Sequence, residues 1–592
     1  MKPRYDVIVA GFGTAGSIAA IAAARAGASV LALERTHYAG GTHTGGFVTY
    51  YYLQKPHNLM ADIDRRAAEE LTFAGIAEAR KHELELVARE LGVEIIYEAA
   101  VVGVIRDGDR VTGVRYAKNR RVESAYAHTV IDATGDAAVC ALSGAELRGG
   151  RAFDGTFMPF TNSMAKEHPT KGWISDANFD AGRIDQYREP EFSRTMLATA
   201  RVHLHEDFSQ FRDRLIPSDL PGVREGRNIV PEGRTMTLAD VLDGEARVDE
   251  PVGYVWSNLD THANDMPLES ELFQDWMIGA SMWGIPQWFP VPRNAMHPKG
   301  VRGLLIAGRH LGVERDLTCA LRMNPLMGML GEAAGTIAAL AARRGVDAAQ
   351  VPYADFADKL YLPEEARDYR KKLWNLSPDE IRAALDSDAP GVAMWCARRN
   401  LDAAQLREWY DRAPEGSRLR RHTAMTLALK GDLHGAAELR AMVKERDPYA
   451  PTHSRRYNHC RGYVSLYLLG KLADVEAIPL AEAVLRTDVP EEHRYEYQTH
   501  AIRALIRIGE RHPEHRPRLA EILRAVLEDP GWQISSLLKG DGGSLKRMDA
   551  LFRCAGAKTL NEWGIAHHIG EALRAAAPDD YELDLARRMK IS

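Results

Sequence analysis

The first apolar run of the chain lies in residues 5–34 (YDVIVAGFGTAGSIAAIAAARAGASVLALE). Its pattern predicts a buried β-strand, a glycine turn, an alanine-rich helix and a second buried strand. Gly27 stands where that helix should end, and we expect it to be the C-cap. The order strand, helix, strand predicts a βαβ unit with two parallel strands.

The turn of this unit carries three glycines, Gly11, Gly13 and Gly16, at the GxGxxG spacing of dinucleotide-binding units. Gly11 allows the sharp turn, Gly13 lets the backbone approach a pyrophosphate, and Gly16 lets the helix pack closely on the sheet. The free N–H groups at the helix N-terminus favour phosphate, so Thr14 and Ala15 belong to the same predicted site. The turn therefore predicts dinucleotide binding.

Glu34 ends the second strand, eighteen residues after Gly16, and Arg35 follows it. A carboxylate at this position accepts hydrogen bonds from ribose hydroxyls and repels a 2′-phosphate, which disfavours NADP. NAD and FAD offer the same adenosine and pyrophosphate to such a unit. The βαβ unit alone leaves both cofactors open.

Apolar and polar residues alternate again in residues 93–107, 108–119 and 122–132. The pattern predicts three strands of a β-meander, with turns at 107–109 and 118–119. From about residue 350 the spacing becomes helical. Pairs of helices there suggest a HEAT-like stack, but no clean repeat period is present.

The weakly periodic, aromatic-rich stretch between these regions is interpreted as an inserted substrate domain. We therefore predict four segments: a dinucleotide-binding domain in 1–150, a substrate or cap domain in 151–290, a return to the dinucleotide-binding domain in 291–346, and an all-helical domain in 347–592. The expected fold class is α/β. It combines a Rossmann-type dinucleotide-binding domain with a three-stranded meander, an inserted α+β substrate domain and an all-α C-terminal domain.

Composition narrows the function classes. The 592 residues suggest roughly three to four domain-sized units, and a net charge of -6 opposes nucleic-acid binding. The five cysteines form no CxxC pair, and we expect buried thiols and no metal site. The first strand leaves no room for a signal peptide, and no apolar stretch predicts a membrane span. We expect a cytoplasmic enzyme with a small-molecule substrate; a homo-oligomer stays open.

Several segments together resemble a known family. They are the glycine fingerprint, Glu34, the loop RTHYAGGTHTGGFVTYYY at 35–52, VIDATGDA at 130–137, and LLIAGRHLGVERDLTCALRMNPLMGMLGEAAGTIAAL at 304–340. They resemble the FAD-dependent oxidoreductases with a glutathione-reductase-like FAD domain, distantly related to the fumarate reductase flavoproteins. The resemblance covers about the first 345 residues and implies FAD as the cofactor. It therefore implies that the dinucleotide-binding segments 1–150 and 291–346 form a Rossmann-type FAD-binding domain.

The resemblance also implies which residues contact FAD. Backbone near Val102 reaches the adenine, and Thr134, Gly135 and Asp136 adjoin the phosphates and ribitol. The remaining members of this predicted set are Gly41, Thr42, His43, Thr44, Gly308, Arg309, Pro325 and Gly328.

A second helix is predicted from Asn324 as N-cap and Pro325 as first helical residue, through Arg343 and Arg344, with Gly345 as C-cap. In the resembling family the N-terminus of this helix points at the pyrimidine side of the flavin, where its dipole favours reduction. A buried helix whose glycines serve packing alone is equally compatible with the sequence.

Flavin-dependent oxidation of a C–H bond needs a base for the accompanying proton and a cation to hold substrate oxygen. The segment AGRHLGVERDLTCALR places Arg309, His310 and Arg322 beside the flavin according to the resemblance. We predict His310 as the base, Arg322 as positive charge near the flavin, and Arg293 as a clamp for a substrate carboxylate. Ordinary salt bridges are the alternative for each.

His43 raises a separate question. It resembles the histidine that fumarate reductase flavoproteins link covalently to the flavin, but Gly45 and Gly46 follow Thr44 directly, so the register differs. A covalent link is conceivable, and an ordinary polar loop residue is the favoured interpretation.

The leading hypothesis is an FAD enzyme that dehydrogenates a small organic substrate and passes electrons to oxygen, a quinone or another carrier. The sequence has no second GxGxxG unit, which argues against a reductase with bound NAD(P)H. The alternatives are a flavin monooxygenase or reductase using transient NAD(P)H, and a non-redox protein with structural FAD whose helical domain binds a macromolecule.

Overall fold

The computed structural model describes most of the chain. The described residues are 4–70, 75–167, 174–180, 183, 185, 187–188, 193, 215–218, 220–244, 248–262, 265–282, 284–366, 374–451, 459–486, 491–537, 545–576 and 580–591. The chain forms two compact units. The first contains 1–151, 155–262 and 286–368, and the second contains 152–154, 263–285 and 369–592.

The strands of the first unit are β1 (Tyr5–Ala10), β2 (Val30–Leu33), β3 (Glu94–Ile96), β4 (Ala100–Asp107), β5 (Arg110–Lys118), β6 (Arg121–Asp132), β7 (Leu147–Arg148), β8 (Thr161–Glu167), β9 (Ile174–Asp180), β10 (Leu215–Pro217), β11 (Asn228–Ile229), β12 (Pro251–Ser257), β13 (Gln287–Pro292) and β14 (Leu304–Ile306). Its helices are α1 (Thr14–Arg25), α2 (Asn58–Glu69), α3 (Gly75–Glu90), α4 (Ala138–Leu142), α5 (Leu238–Leu242), α7 (Arg315–Leu321) and α8 (Asn324–Arg344); α6 (Glu271–Gln274) belongs to the second unit.

A parallel sheet in the order β3–β2–β1–β6–β14 holds the predicted βαβ unit. The strand β6 is long enough to serve two sheets. Its first half pairs with β5 in the antiparallel meander, and its second half lies between β1 and β14. This mixed α/β architecture fits a Rossmann-type FAD domain.

The predicted first meander strand, 93–107, is in fact two strands. β3 joins the parallel sheet beside β2, and β4 alone enters the meander. The chain changes direction at Glu98, which has a φ of 55° although it is not glycine. The sequence gives no glycine or proline at this break, so the pattern predicts one continuous strand. The predicted turns form, with positive φ at Gly108 and Asn119.

The helix α8 lies along α1 in the same direction. A Cβ on Gly331 would stand 2.3 Å from the Ala15 carbonyl oxygen, and one on Gly335 would stand 2.1 Å from that of Ala19. Four residues forward on one helix correspond to four forward on the other, so the two helices are parallel. Among the described helices α8 is long and apolar enough to cross a membrane, but 89% of its apolar window is buried inside the protein. It is a core helix.

In the inserted part of the first unit, β8, β9 and β10 form an antiparallel sheet and β12 pairs with β13. The chain between β12 and β13 leaves this unit: residues 263–285 belong to the second unit. The predicted segments place 263–285 in the substrate domain and 347–368 in the helical domain, and these boundaries stay predictions. In the structure, 263–285 groups with the second unit and 347–368 with the first.

The second unit is mainly helical. Its helices after α6 are α9 (Pro378–Leu385), α10 (Gly391–Asn400), α11 (Ala403–Arg412), α12 (Arg418–Leu429), α13 (Ala436–Glu445), α14 (Arg461–Leu472), α15 (Ile478–Arg486), α16 (Glu491–Arg511), α17 (Arg516–Leu527), α18 (Asp549–Glu562), α19 (Ile569–Ala575) and α20 (Asp580–Arg588). A π-helical turn, Asp275–Ala280, continues α6. Short 3₁₀ turns at Gly41–His43, Met266–Leu268, Arg293–Met296, Ala348–Gln350, Tyr353–Asp355, Ala357–Lys359, Leu433–Gly435, Val475–Ala477 and Pro513–His515 complete the two units.

The all-α prediction for the C-terminal region needs one correction, because β15 (Ser535–Leu537) and β16 (Leu545–Arg547) pair as an antiparallel hairpin. The sequence between them, LKGDGGS, is rich in the glycines that hairpin connections favour. The helix α9 begins with a capping box formed by Ser377 and Glu380.

Candidate cofactor and active site

The glycine turn between β1 and α1 has the backbone geometry of a phosphate-binding loop. Gly11 has a φ of 96°, and a Cβ there would stand 2.6 Å from the carbonyl oxygen of Ala133 on the neighbouring strand end. A Cβ on Gly16 would stand 1.9 Å from the carbonyl oxygen of Gly11, so α1 starts tight against its own turn. Both glycines are required by packing within the protein.

Gly13 differs from these two glycines. A Cβ added there would meet a single neighbour within 4 Å, the Cα of Gly41 at 3.8 Å, so the position has room beside the start of α1. The Gly40–Gly41 loop lies directly against this turn, because the Thr14 hydroxyl donates to the Gly40 carbonyl oxygen at 3.0 Å. The two glycine segments thus form one cradle at a helix N-terminus, the environment that favours a pyrophosphate.

Glu34 is buried at the end of β2, below the same turn. One carboxylate oxygen accepts the Phe12 N–H at 2.6 Å, and the other accepts the N–H and hydroxyl of Thr36 at 2.8 and 2.9 Å. Carboxylate oxygens can accept more than one hydrogen bond each, so this geometry leaves capacity for ribose hydroxyls. Arg35, next in the chain, is exposed.

The loop after Gly41 is folded inward rather than lying on the surface. The buried Thr44 hydroxyl donates to the Ala39 carbonyl oxygen, and Thr42 accepts the Val48 N–H through its carbonyl. His43 is buried as well, with Nε2 3.2 Å from the Thr49 carbonyl oxygen.

Arg80 holds the same carbonyl of Thr49 from the other side. Its Nη1 donates to that oxygen at 2.8 Å while Nε donates to Asp64 at 2.7 Å. Burial, together with the nearby Arg80, lowers the pKa of His43 well below its ordinary value. The ring of His43 is therefore neutral and bound within its own loop.

Two buried polar atoms lie where the resemblance predicts the phosphates and ribitol. Oδ1 of Asp136 and Nε of Arg309 have no hydrogen-bond partner among the residues that the structure describes. The Arg309 guanidinium lies against Gly135, whose Cβ position would be 3.6 Å from Nη1. Thr134 instead bonds inward, donating to Asp132 at 2.6 Å. A buried cation and an acceptor that lack partners fit an anionic, hydroxyl-bearing ligand such as FAD.

The N-terminus of α8 stands beyond that of α1. Gly331 of α8 lies beside Ala15 of α1. Measured from this contact, α8 begins about six residues earlier than α1 along their shared direction. At a rise of 1.5 Å per residue, this corresponds to about 9 Å. The predicted cap is displaced by one residue: Met323 is the N-cap and no side chain bonds to the helix end. The Asn324 amide is used elsewhere and donates to the Val48 carbonyl oxygen at 3.0 Å.

Arg322, just before this helix, joins a charged cluster with Asp260 and His262. Its Nη2 donates to the Asp260 backbone oxygen at 2.8 Å and lies 3.2 Å from Oδ2, which is also 3.2 Å from Nε2 of His262. Burial by itself raises the pKa of the Asp260 carboxyl, but His262, Arg322 and Arg224 outweigh it and lower that pKa below the ordinary value. Asp260 is therefore a carboxylate at neutral pH.

Most residues of the loop that carries this cluster are buried, and the strand before the loop is fixed by hydrogen bonds. Asn258, Leu259 and Thr261 are buried, whereas the side chains of Asp260 and His262 keep 17% and 23% exposure. The preceding strand, β12, is fixed by the Gln54 amide, whose oxygen accepts the Trp256 N–H and whose nitrogen donates to the Tyr254 carbonyl. The loop thus presents two polar side chains from a buried backbone.

His310, the base predicted from sequence, has no exposed surface. Its Nε2 lies 3.6 Å from Oδ1 of Asp132, and burial lowers the pKa of the ring. Gly308 is next to it, since a Cβ there would stand 2.9 Å from Cε1 of His310. A ring without exposed surface cannot touch a substrate in this conformation, so its position does not fit direct proton transfer.

The position of Arg293 likewise does not fit the predicted carboxylate clamp. Its guanidinium is buried and donates to Glu250 at 3.1 Å and to the carbonyl oxygens of Ala348 and Ala349. These contacts connect the 3₁₀ turn after β13 to the chain that follows α8. The guanidinium of Arg293 therefore has a structural role.

The other predicted contacts are spread along the cradle. Val102 lies on β4 with 46% of its side chain exposed. Pro325 is buried in the first turn of α8, and Gly328 faces Met60, whose sulfur would be 2.6 Å from an added Cβ.

Sequence reasoning missed Asp260 and His262. The signal that could have found them is the polar run NLDTH, which directly follows the apolar strand PVGYVWS. Polar side chains at the end of a buried strand are common in active sites, but nothing local shows that Arg322, 62 residues later, completes the group.

Comparison with known proteins agrees with the cradle. A sequence profile of the family described as FAD dependent oxidoreductase matches residues 6–219 and 217–360, more than half of the 592 residues. A vinyl phenol reductase from Lactiplantibacillus plantarum is 40% identical over 73 residues, which are 12% of this chain and only 15% of that protein.

Two solved structures cover most of the chain at low identity. A geranylgeranyl bacteriochlorophyll reductase-like protein from Thermoplasma acidophilum covers 74% of this chain and 99% of its own, with 14% identity and a TM-score of 0.31. The myxobacterial chondrochloren halogenase CndH, described as a variant of FAD-dependent halogenases, covers 72% and 97%, with 14% identity and a TM-score of 0.31.

Proposed function

The chain belongs to the FAD-dependent oxidoreductase family, with FAD as its cofactor, and on this premise we propose that it dehydrogenates a small organic substrate. The observation that carries the proposal is a continuous series of contacts. It runs from the phosphate cradle at Gly13 through Gly41 and Val48 to Asn324 at the start of α8, and ends at the charged cluster of Arg322.

When bound, FAD supplies a two-electron acceptor for the hydride of a substrate C–H bond. The residues of the protein bind the cofactor and provide the charges around it. The N–H groups of Gly13, Thr14 and Ala15 would hold the pyrophosphate, and Glu34 would accept hydrogen bonds from the ribose. Arg309 and Asp136 would pair with phosphate and ribitol groups.

At the other end of the cradle, the N-terminus of α8 and the guanidinium of Arg322 favour negative charge, which supports reduction of the cofactor. Substrate is oxidised beside this end, and the electrons pass to oxygen, a quinone or another carrier. We also propose that the enzyme is cytoplasmic.

A reductase acting in the opposite direction is the second candidate. The name of the vinyl phenol reductase favours it, since this chain aligns with that protein over 73 residues at 40% identity. Such an enzyme would draw electrons from transient NAD(P)H. Reduction of the flavin by NADH or NADPH, with no reduction by the organic donors, would favour this reading.

The first test is a visible absorption spectrum of the purified holoprotein, followed by anaerobic addition of organic donors. The panel consists of 2-hydroxy acids, 2-amino acids, primary and secondary alcohols, and NADH and NADPH. We expect flavin bands that bleach with one class of organic donor. A protein whose flavin no member of the panel bleaches would overturn the oxidoreductase reaction proposed here.

Acid precipitation of the same sample addresses His43. Its ring is neutral and its Nε2 is bound to the Thr49 carbonyl, so we expect the flavin to leave the pellet and appear in the supernatant. Yellow colour that stays with the protein would instead support a covalent link.

A further inference from the structure

The described residues contain two histidine–aspartate pairs in the cofactor-binding unit, and they differ in access. His310 and Asp132 are 3.6 Å apart and both have no exposed surface. His262 and Asp260 are 3.2 Å apart and keep 23% and 17% exposure. A group that takes a proton from a substrate must reach it, which selects the second pair.

We propose that His262 is the general base of the reaction and that Asp260 orients it, an inference that rests on the dehydrogenation proposed above. Nε2 of His262 faces the Asp260 carboxylate, so this nitrogen carries the hydrogen and Nδ1 is the proton acceptor. Arg322 binds both the side chain and the backbone oxygen of Asp260. It therefore holds the carboxylate in place, and the carboxylate in turn orients the His262 ring.

The backbone of His262 provides an independent observation. Its φ is 51°, in the left-handed region, where non-glycine residues are uncommon although histidine is one of the enriched types. Non-glycine residues in this region are concentrated at functional sites. Leu259 and Thr261 on the same loop are buried, whereas the imidazole of His262 keeps 23% exposure.

The substrate class follows from the chemistry of such a base. An imidazole suits removal of a proton from a hydroxyl or amino group as the adjacent C–H bond gives up hydride. The O–H or N–H bond breaks, its proton goes to Nδ1 of His262, and its electron pair forms the new C=O or C=N bond. The carbon-bound hydrogen leaves with its electron pair to FAD, the two-electron oxidant. The product is a carbonyl compound or an imine.

The sharpest variant is His262→Asn. Asparagine tolerates the left-handed backbone better than most residues, so the loop can keep its shape while the base is lost. In the FAD-loaded protein we expect substrate-dependent bleaching to slow by roughly 10²- to 10⁴-fold, with partial recovery on adding imidazole. His82→Ala, at a histidine with 63% side-chain exposure on α3, is the matched control and should bleach like the wild type.

The pH dependence of the bleaching rate distinguishes a catalytic base from a residue with a purely structural role. The charged groups that act on the Asp260 carboxylate are His262, Arg322 and Arg224, and this carboxylate in turn helps to raise the pKa of the buried Cys319 thiol. Nε2 of His262 lies 3.2 Å from the Asp260 carboxylate, so loss of that charge destabilises the imidazolium, and Asp260→Asn should lower the pKa of His262. The bleaching rate rises as His262 becomes neutral, and in this variant its rising limb should move to lower pH by the same amount.

The titration is read directly by NMR of ring-labelled histidine, with His262→Asn identifying the signal, and needs no substrate. A His262 signal whose pKa is the same in Asp260→Asn overturns the inference. So does wild-type bleaching in His262→Asn with an unchanged pH limb, an outcome that leaves the dehydrogenation standing. A wild-type flavin that no donor bleaches removes the dehydrogenation and the base together.

Discussion

The carbonyl oxygen of Ala15 lies 2.3 Å from the place where a Cβ on Gly331 would stand. Both groups belong to helix backbone, α1 on one side and α8 on the other, so neither can yield without moving its helix. This contact sets the parallel alignment of α1 and α8. Through that alignment it sets how far Asn324 and Arg322 extend past the phosphate cradle.

Gly331→Ala is therefore expected to separate the two helices. We expect the free energy of unfolding to fall by about 1–3 kcal/mol, as is typical of overpacked cores, together with weaker FAD binding. Thermal unfolding of the apoprotein and a fluorescence titration with FAD measure the two effects. Gly103→Ala on β4 is the control for the unfolding measurement, since its Cβ would meet Arg115 at an ordinary 3.6 Å. Equal losses in both variants would show that the helix contact is not the cause.

Gly13→Ala should separate cofactor binding from folding. The backbone at Gly13 has φ -75° and ψ -159°, which other residues adopt, and an added Cβ has only Gly41 nearby at 3.8 Å. The methyl group would occupy the face of the turn that the pyrophosphate needs. We expect an unchanged melting temperature without FAD and a Kd for FAD at least tenfold higher, or about 1.4 kcal/mol. A variant that binds FAD as tightly as the wild type would place the phosphates elsewhere.

Arg309 offers a test based on charge. Nε of its guanidinium is buried without a hydrogen-bond partner among the described residues, and burial lowers the pKa of Arg309 against the opposing charge of Asp136. A largely desolvated cation with incomplete hydrogen bonding is costly, so Arg309→Met should leave the apoprotein as stable as the wild type or more so. The same variant should bind FAD less tightly, because the phosphates lose their cation.

Arg110→Met is the matched comparison for this experiment. Arg110 pairs with Asp347 at 2.7 Å and donates to the His128 carbonyl oxygen, so its loss should lower the melting temperature without changing the Kd for FAD. If Arg309→Met destabilises the apoprotein as strongly as Arg110→Met does, the guanidinium serves the fold rather than the cofactor.

Sequence patterns predicted the elements whose signals are local. The βαβ unit from Tyr5 to Leu33 formed because apolar periodicity and glycine turns act within a few residues, and Gly345 caps α8 with a φ of 65°. The predicted strand 93–107 failed at Glu98, because its positive φ is imposed by neighbours rather than by its side chain. The residue next to Pro325 was also misjudged, since Asn324 uses its amide on Val48 instead of capping α8.

The active-site residues depended on contacts that sequence spacing does not report. Nearness to a recognisable motif favoured His310, but in the structure its ring has no exposed surface and lies 3.6 Å from Asp132, which is 178 residues away. His262 lies in a stretch without a motif. It becomes a candidate because it contacts Asp260, which also binds the distant Arg322. Local chemistry identifies the residue types, whereas the fold decides which of them can reach a ligand.

Glu332 on α8 predicts a pH-dependent contribution to stability. Burial raises its pKa to about 7, with Asn58 and Arg25 opposing the shift and Asp62 adding to it. The folded protein therefore keeps a proton that the unfolded chain releases above about pH 4.5, so this contribution is complete below that pH and is lost as pH rises through 7. Glu332→Gln mimics the protonated side chain.

In this variant we expect the free energy of unfolding to exceed that of the wild type by about 1–2 kcal/mol at pH 8, with no difference near pH 4.5. Denaturant unfolding at the two pH values measures this, and comparison with the wild type cancels every other titrating group. Glu69→Gln, at a carboxylate with 63% side-chain exposure on α2, is the control and should show no such pH dependence. A gain of equal size at both pH values would mean that the glutamine packs better, and that the ionisation of Glu332 is not what costs stability.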